Sequence, residues 1–353
     1  MRKDDARVFD RKTLVKTHLV RQRIQDLYQS WQDFRMDCLV CQSPHLGNSF
    51  VAREMAFGTR EMFSYLQCGN CQSVQIQQIP QPDVLARHYP ENYYSFAIDD
   101  DANARGSSLK KALLVYRNRH GVGLDNWIGR ILSKFKPGNS ILALLKAAGV
   151  KVDHDILDVG SGSTATLLNL LADCGFVSLL GVDPFIAGDI SRENGVRILK
   201  RNIHEVDQMF NLIIFNHSLE HIADPRATLR VARAKLKSGG ICLVRIPTTS
   251  STAWKIYGAD WVQLDVPRHL FVPSREGMNT LALSCGLVVD QVLDDSSALQ
   301  FVASELYRKD IPFNEQNYQQ YFSVAQMKKF RAQARDANAK HLGDQAAFIL
   351  KPA

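Results

Sequence analysis

Nowhere in the 353 residues is there a run approaching about 18 uninterrupted apolar residues, so the sequence offers no membrane-spanning helix. The opening "MRKDDARVFDRK" lacks the apolar core of a secretion signal, and the expected location is the cytoplasm. Disorder on a large scale is excluded by a hydrophobic content of 45%, at a length that suits one large domain with additions or two domains. Charge of one sign is also scarce. The formal +7 is the small difference between 43 basic and 36 acidic residues, which are mixed along the chain. Such a balance tolerates an anionic ligand, a phosphate or a nucleic acid, but selects no partner.

Cysteine is present in an odd number, seven, and four of the seven form two similar pieces, "CLVCQS" (Cys38, Cys41) and "CGNCQS" (Cys68, Cys71). Without a secretion signal, paired C-x-x-C units read as a four-thiolate zinc site rather than as disulfides. His45 offers a weaker substitute for one sulfur. Four thiolates leave zinc no open position for water, so the ion's expected role is structural. The flanking "EMFSYLQCGNCQSVQIQQ" alternates as short strands do, which predicts a ribbon-like module with the second pair on a hairpin.

Around that module the chain divides into an N-terminal helical arm (1–36), the zinc-binding module (37–95), a linker and helical cap (96–149) and a main domain (150–353). The arm rests on Val20, Ile24, Leu27 and Trp31 at helical spacing over residues 13 to 34. The linker rests on "DDDANARGSS", and residues 109 to 148 are basic and helical in pattern.

From "HDILDVGSGS" onward, apolar runs of strand length alternate with helical segments: Ile156 to Val159, Val177 to Val182, Val196 to Leu199, Leu212 to Phe215 and Ile241 to Ile246. That alternation predicts an α/β fold with a parallel, doubly wound sheet. Asp224 and Pro225 suit the start of a helix that runs to "KSGG", with Gly239 closing it. The segment "HSLEH" fits the H-x-x-E-H pattern of a zinc protease, but it begins where the fourth strand ends, so His217 and His221 need not share a helical face. The first turn, Gly160 to Ala165, also matches the dinucleotide fingerprint G-x-G-x-x-A, with Asp183 at a ribose's distance. Asp158 separates the readings. A carboxylate at the end of the first strand repels a pyrophosphate and calls for a cationic ligand, and S-adenosylmethionine brings an ammonium, a sulfonium and no phosphate.

"ILDVGSGS", "LLGVDP", "FNLIIFNHSLEHIADP" and "LKSGGICLVRIP", in this order and spacing, resemble the class I S-adenosylmethionine-dependent methyltransferases. The resemblance implies a Rossmann-like seven-stranded sheet whose last strand, at "AAFIL", runs antiparallel. It also implies that Asp158, Gly160, Ser161 and Gly162 cradle the methionine part and that Asp183 holds the ribose. Asn202 and Ile203 would meet the adenine edge, with His217 and Ser218 beside the cofactor. One departure is Asn211, where the family has Asp.

On the acceptor side, "NHSL" stands where base-amine methyltransferases carry Asn or Asp, Pro-Pro and an aromatic, which disfavours nucleic acid. The layout of cysteine module, "HYPENYYSF" and catalytic domain resembles the C-methyltransferases of nucleotide-linked keto-sugars and related polysaccharide or natural-product enzymes. That resemblance implies a small-molecule acceptor, with Tyr93 or Tyr94 binding it, while the pairing of Glu220 with His221 offers an oriented base and the loop "PRHLF" offers Arg268 for an anionic group of the substrate and His269 as a second base. A large C-terminal domain of the sugar enzymes has no equivalent, since residues 297 to 342 offer only helical material. A macromolecule methyltransferase that uses the zinc module for recognition, and a non-catalytic scaffold with a retained cofactor fold, are the alternatives.

Overall fold

The computed structural model describes residues 37–44, 46–89, 108–124, 126–135, 138–313 and 318–353. The arm helix expected over 13–34, His45, Tyr93 and Tyr94 lie outside the described residues. Residues Cys38–Ala353 form one compact unit.

Its centre is an eight-stranded sheet. In chain order the strands are β4 (Ile156–Val159), β5 (Leu179–Val182), β6 (Ile190–Ser191), β7 (Arg197–Leu199), β8 (Phe210–Asn216), β9 (Leu236–Pro247), β11 (Leu287–Asp294) and β12 (Gln345–Pro352). They lie in the order β11-β12-β9-β8-β4-β5-β7-β6. The pairs β4–β5, β4–β8, β5–β7 and β8–β9 are parallel, whereas β12 runs antiparallel to both β9 and β11. Seven strands were expected; the eighth, β6, turns back on β7 through Arg192–Val196, where Gly195 takes φ 86°.

Why the sheet is buried on both sides follows from the two-residue period of a strand. Leu157, Val159, Ile213, Phe215, Val244 and Phe348 join one apolar core, while their neighbours Ile156, Leu212, Ile214, Leu243 and Ile349 join another. Asn211, in place of the family's Asp, accepts the backbone N–H of Asp155 at 3.0 Å through its side-chain oxygen, a role that needs no charge.

The helix Pro225–Ala234 starts as its sequence dictates, with Asp224 accepting the Ala227 N–H at 2.9 Å and Pro225 at the first position. It does not reach "KSGG". Gly239, at φ 72°, lies inside β9 in a bulge, where residues 237–240 stand opposite residue 211 alone, between the pairs Phe210↔Leu236 and Leu212↔Ile241.

A second sheet, in the order β1-β2-β3-β10, carries the cysteines: β1 (Leu46–Arg53), β2 (Met62–Cys68), β3 (Val74–Ile76) and β10 (Phe271–Val272). The last of these comes from the main domain, with Phe271 paired to Gln75 and Val272 to Val74. Cys38, Val40, Cys68 and Cys71 also pack in the same apolar core as the main sheet. The cysteine module is thus built onto the loop that precedes β10.

Candidate active site and cysteine centre

β4, β5 and β8 end side by side, and each delivers its next residue to one crevice, at the place where the strand order reverses. β4 leads into Gly160 at φ 77° and Gly162 at φ 63°. A side chain at Gly160 would start 2.6 Å from the Ser218 Cβ, so both conformation and space demand glycine there. Ser218 itself donates its hydroxyl to the Val159 carbonyl at 2.6 Å, so it braces the glycine turn from the β8 side. Ser161 places its hydroxyl 3.3 Å from the Gly162 carbonyl.

Two carboxylates face this turn. Asp158 is buried, and burial, with the charge of Asp183 adding to it, pushes its carboxyl up to about 7. The Asp183 carboxylate accepts the N–H of Gly162 at 3.0 Å and of Phe185 at 2.9 Å, and burial raises it too. Such a pair favours either a proton or a cationic ligand. Next to it, Asn202 is exposed and caps the turn Ile203–Glu205, while the Ile203 side chain packs into the core; any ligand contact of Ile203 is left to its backbone.

The acceptor side is built from "HSLEH" and the loop before β10. "LEH" forms a single 3-10 turn, not an α-helix. The His221 Nδ1 donates to the Arg268 carbonyl at 2.8 Å, with the Tyr89 hydroxyl 3.3 Å away, which leaves the Nε2 lone pair as the ring's acceptor. His269 Nδ1 likewise donates to the Gln263 carbonyl at 2.8 Å. Burial holds the His269 imidazole down at about 4, so it is neutral near pH 7. The two rings meet edge to face, 4.8 Å between centroids. Ligand atoms of Glu220, His221 and His269 converge to within 4.8 Å of one another.

Glu220 is fully buried. The sequence suggests that it orients His221; the structure gives it instead to His217, whose Nδ1 lies 3.3 Å from Oε1, and His221 is oriented by the Arg268 backbone. Burial alone would push the Glu220 carboxyl up, yet the His217 hydrogen bond and the surrounding imidazoles bring it below its usual value. Among the causes that lower it, the His217 hydrogen bond is the largest. Its other oxygen, Oε2, is buried with no hydrogen-bond partner among the described residues.

Arg268, expected to grip the substrate, is a further correction. Its side chain is 1% exposed and fully engaged: Asp265 at 2.6 and 2.9 Å, Glu54 at 3.3 Å, the His88 carbonyl at 3.1 Å, and the Phe57 ring 4.9 Å below it. A guanidinium so enclosed cannot take up an anionic substrate. It clasps the cysteine-bearing sheet to the loop of His269, a role no local sequence pattern signals, because Glu54 lies 214 residues away.

In the cysteine centre the two knuckles repeat one geometry. Gln42 at φ 60° and Gln72 at φ 59° follow the second cysteines, and their N–H groups reach back to the Cys38 and Cys68 carbonyls at 2.8 and 3.0 Å. Sulfur separations are 3.7 Å for Cys38–Cys71 and 3.6 Å for Cys41–Cys68. A tetrahedral ion with Zn–S bonds of about 2.3 Å needs sulfurs roughly 3.8 Å apart, whereas a disulfide needs about 2 Å. The residues fit zinc.

With this geometry described, residues 125–292 match the family model for a methyltransferase domain. Those residues therefore make up a methyltransferase domain. None of the curated proteins matches the chain. Among solved structures, mycolic acid cyclopropane synthase CmaA1, complexed with SAH and CTAB, is similar at 16% identity and a TM-score of 0.37, covering 59% of this chain and 85% of that one. The cyclopropane synthase MmaA2 from Mycobacterium tuberculosis is 14% identical with a TM-score of 0.38, over 70% of this chain and 99% of that one. The CcbJ methyltransferase from Streptomyces caelestis is 13% identical with a TM-score of 0.37, over 60% and 88%. Likenesses this distant transfer no acceptor to the present chain.

Proposed function

We propose that the enzyme methylates a small molecule at an atom that must lose a proton, with a carbon beside the carbonyl of a nucleotide-linked keto-sugar as the leading acceptor. The observation that carries the donor half is the buried Asp158 beside Asp183 at the glycine turn. When bound, S-adenosylmethionine supplies an electrophilic methyl on a sulfonium. Asp158 would balance its ammonium, and Asp183 would receive the ribose hydroxyls on oxygens that keep a free lone pair each.

The acceptor half rests on the paired imidazoles. Both present Nε2 as a lone pair because a backbone carbonyl fixes each tautomer. His221, the more exposed of the two, takes the acceptor's proton at Nε2. The buried Glu220 carboxylate, with Oε2 unpaired among the described residues, steadies the imidazolium that forms. His269 is too buried to charge readily and serves as a neutral hydrogen-bonding wall. One zinc ion held by Cys38, Cys41, Cys68 and Cys71 would lock the sheet that fastens this loop.

Methyl-labelled donor offered with keto-sugar nucleotides, RNA and protein tests the reading. Label in the sugar, lost in His221→Ala with donor binding intact, supports it. Label in RNA or protein alone would give the zinc module a recognition role, and donor binding without turnover on any class would favour the scaffold.

A further inference from the structure

The net charge reads as scattered along the whole sequence, but the helices Ser108–Gly121 and Trp127–Phe135 concentrate it. Residues 108–135 hold six lysines and arginines against one aspartate, net +5 of the chain's +7. The same helices expose large apolar side chains: Leu109 at 70%, Trp127 at 72%, Ile131 at 48% and Phe135 at 84%.

The shorter helix shows how these are arranged. Gly129 is its buried residue, and a Cβ there would lie 2.2 Å from the Tyr116 carbonyl oxygen, so the helix rests on its partner through that point. At about 100° per residue, Trp127, Ile131 and Lys134 fall on the opposite side, with Phe135 on one flank and Arg130 on the other. An aromatic at each end, an aliphatic between and cations along the border form the outward face.

We infer that this face is a docking surface for an anionic lipid membrane, on which the helix lies in the plane of the headgroups. Apolar side chains gain by entering the acyl boundary while Arg130 and Lys134 stay among anionic headgroups. No described helix is long and apolar enough to cross a membrane. Charge argues against two other occupants. A second copy would bring the same cations against it. The chain's own residues 1–36, with nine lysines and arginines against five aspartates, would do so too. A nucleic acid would satisfy the cations and stack on the aromatics but leave Ile131 and Leu109 without an apolar partner.

Sedimentation of the full-length protein with vesicles of phosphatidylcholine, with and without about 30% phosphatidylserine, tests this. Binding is expected to the anionic vesicles only, with a blue shift of tryptophan emission that is absent in Trp127→Ala, and to weaken several-fold when salt rises from about 0.1 to 0.5 M. The double variant Trp127→Ala/Phe135→Ala should bind about a hundredfold more weakly while its melting temperature and donor binding are unchanged. The inference is overturned by any of four results: no vesicle binding; binding unchanged in the double variant; dimerisation through this face; or a face that deletion of the acidic residues 96–104 alone exposes to vesicles.

Discussion

Asp158 carries the largest electrostatic demand at the cofactor turn. Its folded pKa, about 7, lies above the ordinary 3.8, so the protonated form is favoured in the free protein. The sign follows from linkage. The contribution to stability is fully present below about pH 4 and is lost as pH rises through about 7, amounting to about 4 kcal/mol. A cationic ligand reverses this, because it binds the ionised carboxylate. Affinity for S-adenosylmethionine should therefore rise with pH and level off above 7, being roughly twentyfold weaker at pH 5.5 than at 7.5. Calorimetric titration of the wild type and Asp158→Asn checks it: the variant should bind weakly with no such slope, and an unchanged slope in the variant would assign the titration elsewhere. His221 makes the complementary prediction. His221→Ala should lower turnover by about 10²- to 10⁴-fold with donor affinity unchanged.

Elements rather than single residues connect the cysteine centre to catalysis. β10 completes the cysteine-bearing sheet, and Arg268 and His269 precede it with only Leu270 between. Arg268 spans the junction twice, through its side chain to Glu54 and through its carbonyl to His221. Glu54→Ala leaves a buried guanidinium short of one carboxylate, a loss of about 3–5 kcal/mol by the usual cost of breaking such a pair. Thermal melting should show that loss, and turnover should fall further than donor binding, which depends on the distant glycine turn. Metal analysis should find one zinc per chain in the wild type and none in Cys68→Ser, whose turnover should be impaired by the same route. Full activity in zinc-free protein would sever the centre from the site.

At the scale of the whole molecule, much of the sheet was legible because each strand carries its own apolar run and each turn its own glycine. Ile156–Val159 appears in the structure with the bounds the sequence suggests. Gly239 shows where that legibility stops: a positive φ suits a helix end and a strand bulge equally, and only the pairing with β8 decides between them. That Asp158 and Asp183 flank the glycine turn was readable from local spacing, whereas the partners of Glu220 and Arg268 were not. Glu220 has His221 next to it in sequence, yet the turn aims its carboxylate at His217, and Arg268 finds Glu54 only after the chain has folded across 214 residues.

The central claim is that the crevice at the ends of β4, β5 and β8 binds S-adenosylmethionine through Asp158. The most direct measurement is isothermal titration of S-adenosylmethionine and of a nicotinamide dinucleotide into the wild type and Asp158→Ala at pH 7.5. The predicted result is one site per chain for S-adenosylmethionine, none for the dinucleotide, and a loss of about a hundredfold or more in a variant whose circular dichroism is unchanged. Binding of the dinucleotide with none of S-adenosylmethionine, or equal S-adenosylmethionine affinity in the two proteins, would contradict the account.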